Sequence, residues 1–234
     1  MAGDSSKSDG MSNVIGGSAP AARARATILL HHGAVGNRSS ALTHAGVLHG
    51  LGCNMFLYDY EGFGGSTGTA SLSTLRSDLE TVVDWTLRRT GEGRVSLFGI
   101  SLGTMPTVAV AVDRPAMING VVLDSPIALG LEIERFAFLI RNQTDAVIAA
   151  LEPWLLSEQV IDQMLQPMLI YEHGQDIITP PKEVELLFER AGGPKEIVRY
   201  PDLDHARGQF VETADYDAHM EAFLANVWSP PTDP

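Results

Sequence analysis

From Ala26 onward, short apolar runs alternate with longer stretches in which apolar residues recur at helical spacing, the pattern of strand and helix units that wind a parallel sheet. The runs that read as strands are 27–31, 54–58, 94–98, 119–123, 168–171 and 196–200. Between the second and third, Leu72, Leu75, Leu79, Val82 and Val83 fall on one helical face, while Arg76, Asp78, Glu80 and Asp84 fill the other. That spacing predicts a surface helix laid on the sheet. Residues 182–191, introduced by Pro180-Pro181 and closed by Gly192-Gly193, read the same way, as do 210–227. Only 125–166 breaks the rhythm. About forty residues of mostly helical character stand where one crossover helix would serve, and such an insertion predicts a cap over a site.

The expected fold is therefore α/β, a mostly parallel sheet of about six strands flanked by helices, with a helical cap insertion. The first 25 residues are rich in Ser, Gly, Ala and Asp, lack the apolar core of a signal peptide, and are expected to form a disordered or loosely ordered leader to a domain spanning 26–234. With 234 residues and 44% hydrophobic content, the chain is long enough for one well-buried core. No apolar run approaches the ~18 residues of a transmembrane helix, so a soluble protein is expected.

Charge narrows the partners. Sixteen basic against 29 acidic residues give a formal charge of −13, which opposes nucleic acid and anionic membrane surfaces. The single cysteine, Cys53, excludes an intramolecular disulfide and a zinc site built on paired cysteines. It permits a reducing compartment, and a cytoplasmic location is the expectation.

Gly-x-Ser-x-Gly occurs twice, at 99–103 and at 64–68, so context must separate the two. Ser101 directly follows an apolar strand and precedes the apolar helix candidate 107–112; Ser66 follows a glycine-rich loop with no helix until about Leu72. A serine on a tight turn from strand to helix presents its hydroxyl at the helix N-terminus, and side chains two residues either way would collide with neighbouring elements. Ser101 is accordingly the predicted nucleophile. Pro106, just inside the following helix, predicts a local kink.

A serine hydroxyl needs a base, and the base an orienting carboxylate, in the chain order serine, acid, histidine. His205 sits in a loop just past the last strand, whereas His173 ends a strand and His219 lies inside the final helix. His31, His32, His44 and His49 precede the serine and read as structural or exposed. Asp176 follows the strand ending at Tyr171, and Asp124 competes with it from the end of the preceding strand. Asp176 is preferred, because Asp124 is followed by Ser125-Pro126, a turn in which its carboxylate can bond local backbone. The oxyanion hole needs two backbone N–H groups. Leu102 supplies one by position, and Ala34, ahead of Val35, is the choice for the other.

These residues carry a resemblance. The sequence is similar to the α/β-hydrolases, particularly the lysophospholipase-like and serine-aminopeptidase-like branch, through the serine motif and through 32–37, 58–64 and 174–180, which in that family correspond to the oxyanion loop, a structural loop beside the site and the acid loop. The resemblance implies triad roles for Ser101, Asp176 and His205 and oxyanion roles for Ala34 and Leu102. Three features depart from the family. Glu61 stands where arginine is usual, His173 stands where glycine is usual, and the family's first two strands have no convincing counterpart before Thr27. The run 54–58 would then form an open sheet edge, inviting self-association or coverage by the leader.

The expected chemistry is hydrolysis of a small-molecule carboxylic ester with an apolar acyl group through an acyl-enzyme, without metal or organic cofactor. Thioester, amide and peptide cleavage are alternatives that a triad alone does not separate, and a non-catalytic binding module is the rival from another class. The cap residues Phe136, Phe138 and Trp154 are the candidates to line an acyl pocket.

Overall fold

The computed structural model describes residues 26–141 and 143–228. The expected leader, 1–25, lies outside the described residues. Six strands appear where the apolar runs predict them: β1 (Ala26–His31), β2 (Cys53–Leu57), β3 (Val95–Ile100), β4 (Ile118–Asp124), β5 (Met168–His173) and β6 (Lys195–Tyr200). They pair in the order β2-β1-β3-β4-β5-β6, and every pairing is parallel. The helices are α1 (Leu42–Gly50), α2 (Leu75–Thr90), α3 (Thr104–Asp113), α4 (Leu129–Arg135), α5 (Thr144–Ala150), α6 (Ser157–Val160), α7 (Pro181–Arg190), α8 (Gly208–Val211) and α9 (Thr213–Trp228).

A parallel sheet needs both faces covered, because each crossover lays a helix on it. Strand alternation sorts the core accordingly. Leu29, Leu97, Val121, Leu123 and Ile170 point to one side and pack with Leu79 and Val83 of α2, Val108 of α3 and Leu187 of α7. Ile28, Leu30, Phe98, Val122 and Leu169 point to the other and meet Leu48 of α1 and Tyr216, Met220 and Phe223 of α9. The central strands are therefore apolar on both faces, which is why they read as runs rather than as alternation.

Three local findings differ from the sequence reading. Helix α3 is unbroken: Pro106 falls in its first turn, where a backbone N–H has no partner within the helix, so the missing donor costs nothing and no kink is required. The predicted helix 210–227 is split into α8 and α9, with Glu212 between them. Strands β4 and β5 each run further than their apolar cores, to Asp124 and His173, so that the titratable side chains of Asp124, Glu172 and His173 end up buried at the C-terminal edge of the sheet.

At the open edge, β2 pairs only with β1 among the described residues. Its apolar side chains are half-buried; Phe56 lies 4.9 Å from the Trp85 ring of α2. The cap, 125–166, is built from α4, α5 and α6 with short single-turn helices between them. Trp154 and Leu155 of the cap share a buried cluster with Leu102, Met105 and Ala109, which seats the insertion on α3.

Candidate active site

Strand β3 ends at Ile100, and the chain turns at once into helix. Ser101 occupies the turn with a φ of 50°, a left-handed conformation that side-chain-bearing residues seldom adopt. The flanking glycines are required by contact. A Cβ on Gly99 would lie 2.6 Å from the Gly103 carbonyl oxygen, and one on Gly103 would lie 2.5 Å from the His31 carbonyl oxygen. Both are far inside van der Waals distance, so the turn closes only without side chains there. The loop after β1 crosses directly over the serine, since a Cβ on Gly33 would sit 3.8 Å from Ser101 Oγ.

Loops after β5 and β6 bring the other two predicted residues to this point. The Ser101 hydroxyl lies 2.9 Å from His205 Nε2, and His205 Nδ1 lies 2.7 Å from Asp176 Oδ2. An ionised carboxylate only accepts, so Nδ1 carries the ring proton and donates it to Asp176; Nε2 is left as an acceptor facing the serine hydroxyl. Asp176 also accepts from the N–H groups of Ile178 and Thr179, each at 2.8 Å, and from the Thr179 hydroxyl at 2.7 Å. Burial alone would raise this carboxyl, but its bonds to His205 and Thr179 outweigh burial and hold it at about 2. The acid is buried while the imidazole remains 22% exposed, a gradient from fixed carboxylate to reachable base.

Ser66, the serine of the other Gly-x-Ser-x-Gly, has a local structural task. Its hydroxyl donates to the Asp59 carbonyl at 2.7 Å, and the Asp59 carboxylate accepts from Gly65 N–H and from both the N–H and the guanidinium of Arg38. Asp59 thereby ties the loop after β1 to the loop after β2. Among the earlier histidines, burial and then the neighbouring His32 hold His31 at about 3, and burial holds His44 at about 4. Both are neutral core residues, in keeping with the structural role expected of them.

A second serine, histidine and aspartate meet one layer deeper, and sequence reasoning did not bring them together. His173 Nδ1 lies 3.0 Å from Ser125 Oγ and 3.7 Å from Asp124 Oδ1. The contacts resemble a triad, but their connectivity differs. Serine and aspartate share one ring nitrogen, and the other, Nε2, accepts the Gly208 N–H at 2.9 Å. Ser125 also accepts the Ala206 N–H at 3.0 Å, and Asp124 accepts the Tyr216 hydroxyl at 2.7 Å. Ser125 and Asp124 are both 0% exposed, so no substrate atom reaches them.

The cap contributes charge as well as apolar surface. Arg135 of α4 donates to the carbonyls of Ile177 and Ile178 in the acid loop and pairs with Glu183 of α7. One turn earlier, burial and then the Glu183 carboxylate raise Glu132 to about 7, a shift on which His205 and Asp176 also act. Phe136 and Phe138 are exposed on the cap, whereas Trp154 is 7% exposed and donates to Glu152, so its surroundings are those of a core residue. Ala34 is exposed in the loop over Ser101, and Leu102 is the middle residue of the single helical turn Ser101–Gly103. Among the described residues no cluster of His, Cys, Asp and Glu is arranged to hold a metal ion, and no helix is long and apolar enough to cross a membrane.

A six-stranded parallel sheet with a serine on the turn after β3, and acid and histidine loops after later strands, defines an α/β-hydrolase. Comparison narrows the class: the chain belongs to the serine aminopeptidase S33 family, whose profile matches residues 22–165. It is 31% identical over 202 residues to an uncharacterized protein of Mycobacterium tuberculosis, covering 81% of this chain and 64% of that one, so it spans just under two thirds of that relative's length. It is likewise 31% identical over 217 residues to YfhR of Escherichia coli O157:H7, covering 90% of this chain and 74% of YfhR. Among solved structures, the esterase Pf2001 of Pyrococcus furiosus matches with a TM-score of 0.71 over 87% of this chain and 83% of its own, at 19% identity, which is a likeness of fold.

Proposed function

We propose that this protein is a serine hydrolase that cleaves carboxylic esters with apolar acyl groups through an acyl-enzyme. One observation carries the reading: the two nitrogens of a single, partly exposed imidazole face Ser101 on one side and a fixed carboxylate on the other. Ser101 Oγ attacks the ester carbonyl carbon as its proton passes to His205 Nε2. The tetrahedral oxyanion is met by the N–H groups of Leu102 and Ala34, and its collapse expels the alcohol, which takes the proton back from His205. Water then repeats the sequence and releases the acid. Asp176 holds the imidazole in the tautomer this exchange requires.

The acyl preference is supported by the apolar cap, where Phe136 and Phe138 stand exposed, and by the fold shared with an esterase. Each buried acyl CH₂ contributes up to ~0.8 kcal/mol, so kcat/KM should climb by tens of times over the first few added carbons of a p-nitrophenyl ester series. A decline from the first added carbon would sink the pocket while leaving the triad intact. A second reading, cleavage of aminoacyl amides, is favoured by the family's description and by Glu132, whose carboxyl lies near enough to His205 and Asp176 to feel both. Faster turnover of aminoacyl amides than of esters would establish it. A fluorophosphonate that labels no serine would favour the non-catalytic binding module.

A further inference from the structure

The deeper constellation is buried, yet it is joined to the outer one through two backbone amides of the segment that follows His205. Ser125 Oγ accepts the N–H of Ala206, the residue immediately after His205, and His173 Nε2 accepts the N–H of Gly208. A backbone amide can only donate, so Nε2 is unprotonated and Nδ1 carries the proton; Nδ1–H donates to Ser125, whose two lone pairs are thereby filled by Ala206 and His173. The turn these bonds hold is an unfavourable one. Ala206 has a φ of 53°, a conformation a non-glycine residue keeps only where its surroundings impose it. Ser125 is 0% and His173 1% exposed, so water does not compete for either bond.

We propose that Ser125 and His173 are positioning residues for His205: by gripping the amides of Ala206 and Gly208 they fix where the imidazole stands between Ser101 and Asp176. The proposal rests on the reading of Ser101, His205 and Asp176 as the triad. It explains why a buried serine follows β4 and a buried histidine ends β5, and why a strained alanine follows His205.

Substitutions in the full chain test it with p-nitrophenyl butyrate as substrate. Ser125→Gly removes the hydroxyl and leaves the Ala206 N–H and the His173 Nδ1–H without their acceptor, a loss that relief of its own φ of 50° offsets in part, so the variant should still fold, with a Tm lowered by a few degrees. His173→Phe keeps the ring's shape and removes both nitrogens. Each should lower kcat by about 30- to 100-fold, the range for a displacement approaching 1 Å, with KM within about twofold of the parent. The low-field proton resonance of the bond from His205 to Asp176 should shift or broaden in both. His173→Gln, whose amide oxygen can again accept the Gly208 N–H, should recover part of the loss. Parental kcat together with an unchanged low-field resonance in Ser125→Gly and His173→Phe would overturn the proposal, as would losses that track only the unfolded fraction. Fluorophosphonate labelling followed by peptide mapping separates the two levels. Absence of label on Ser101 in the parent chain removes the triad reading and the proposal with it; label on Ser101 at an undiminished rate in both variants removes the positioning role alone.

Discussion

Two Ser, His and Asp sets lie side by side at the same edge of one sheet, and they differ in what each ring nitrogen faces. In the outer set the imidazole separates serine from acid, one to each nitrogen. In the inner set serine and acid crowd a single nitrogen, and the other is occupied by a backbone amide. Residue types are therefore no guide to function by themselves. A relay requires a free lone pair aimed at the hydroxyl and a path for substrate, and only the outer set has both.

The sharpest way to break this comparison is to exchange the serines' fates. Ser101→Ala and His205→Ala should each reduce ester turnover by roughly four or more orders of magnitude with Tm nearly unchanged, measured by initial rates and thermal melts. If instead fluorophosphonate mapped to Ser125, the assignment of outer and inner roles would be reversed. A smaller effect is expected from Tyr216→Phe, which takes from the buried Asp124 carboxylate its hydroxyl donor. That change should cost about 1–3 kcal/mol and lower Tm by several degrees while kcat stays within a few-fold, so within the inner set Asp124 would register in stability, whereas Ser125 and His173 register in rate.

The smallest effect concerns Glu132. Because its folded-state carboxyl is raised to about 7 from an ordinary 4.5, the folded protein binds the extra proton between those values, and stability falls as pH rises through that window. Glu132→Gln should thus be nearly neutral at pH 5 and stabilising at pH 8, on the order of 1 kcal/mol after allowance for its partial exposure. Equal Tm differences at the two pH values would contradict the assignment.

Much of this was legible in the sequence for a simple reason. The central strands β1, β3, β4 and β5 are apolar on both faces and stand out as runs, the edge strands β2 and β6 follow from the rhythm around them, and the strand order of an α/β sheet fixes which loops can reach Ser101. That is how Asp176 and His205 could be chosen from many carboxylates and seven histidines. The inner set was not legible because it depends on register. Asp124 pairs with Tyr171 across β4 and β5, and that pairing carries Ser125 beside His173, 48 residues away. No local spacing encodes it. Pro106 misled for the opposite reason: its local meaning depends on where the helix starts, and α3 begins two residues before it. Trp154 was a candidate for the pocket by residue type, yet it lies in the buried seam between cap and α3, where its large apolar surface is removed from water.

The tether from α4 joins the cap to the loop that carries Asp176. Arg135 holds the carbonyls of Ile177 and Ile178, and the next residue, Thr179, is the one whose N–H and hydroxyl hold Asp176. A cap that swung open at this end would pull on the segment that orients the base. Under the proposed function, substrate exchange is therefore expected without a swing of the cap at the Arg135 end. An enzyme built this way should reach steady-state turnover without a lag on exposure to substrate, because no large opening precedes the first catalytic cycle.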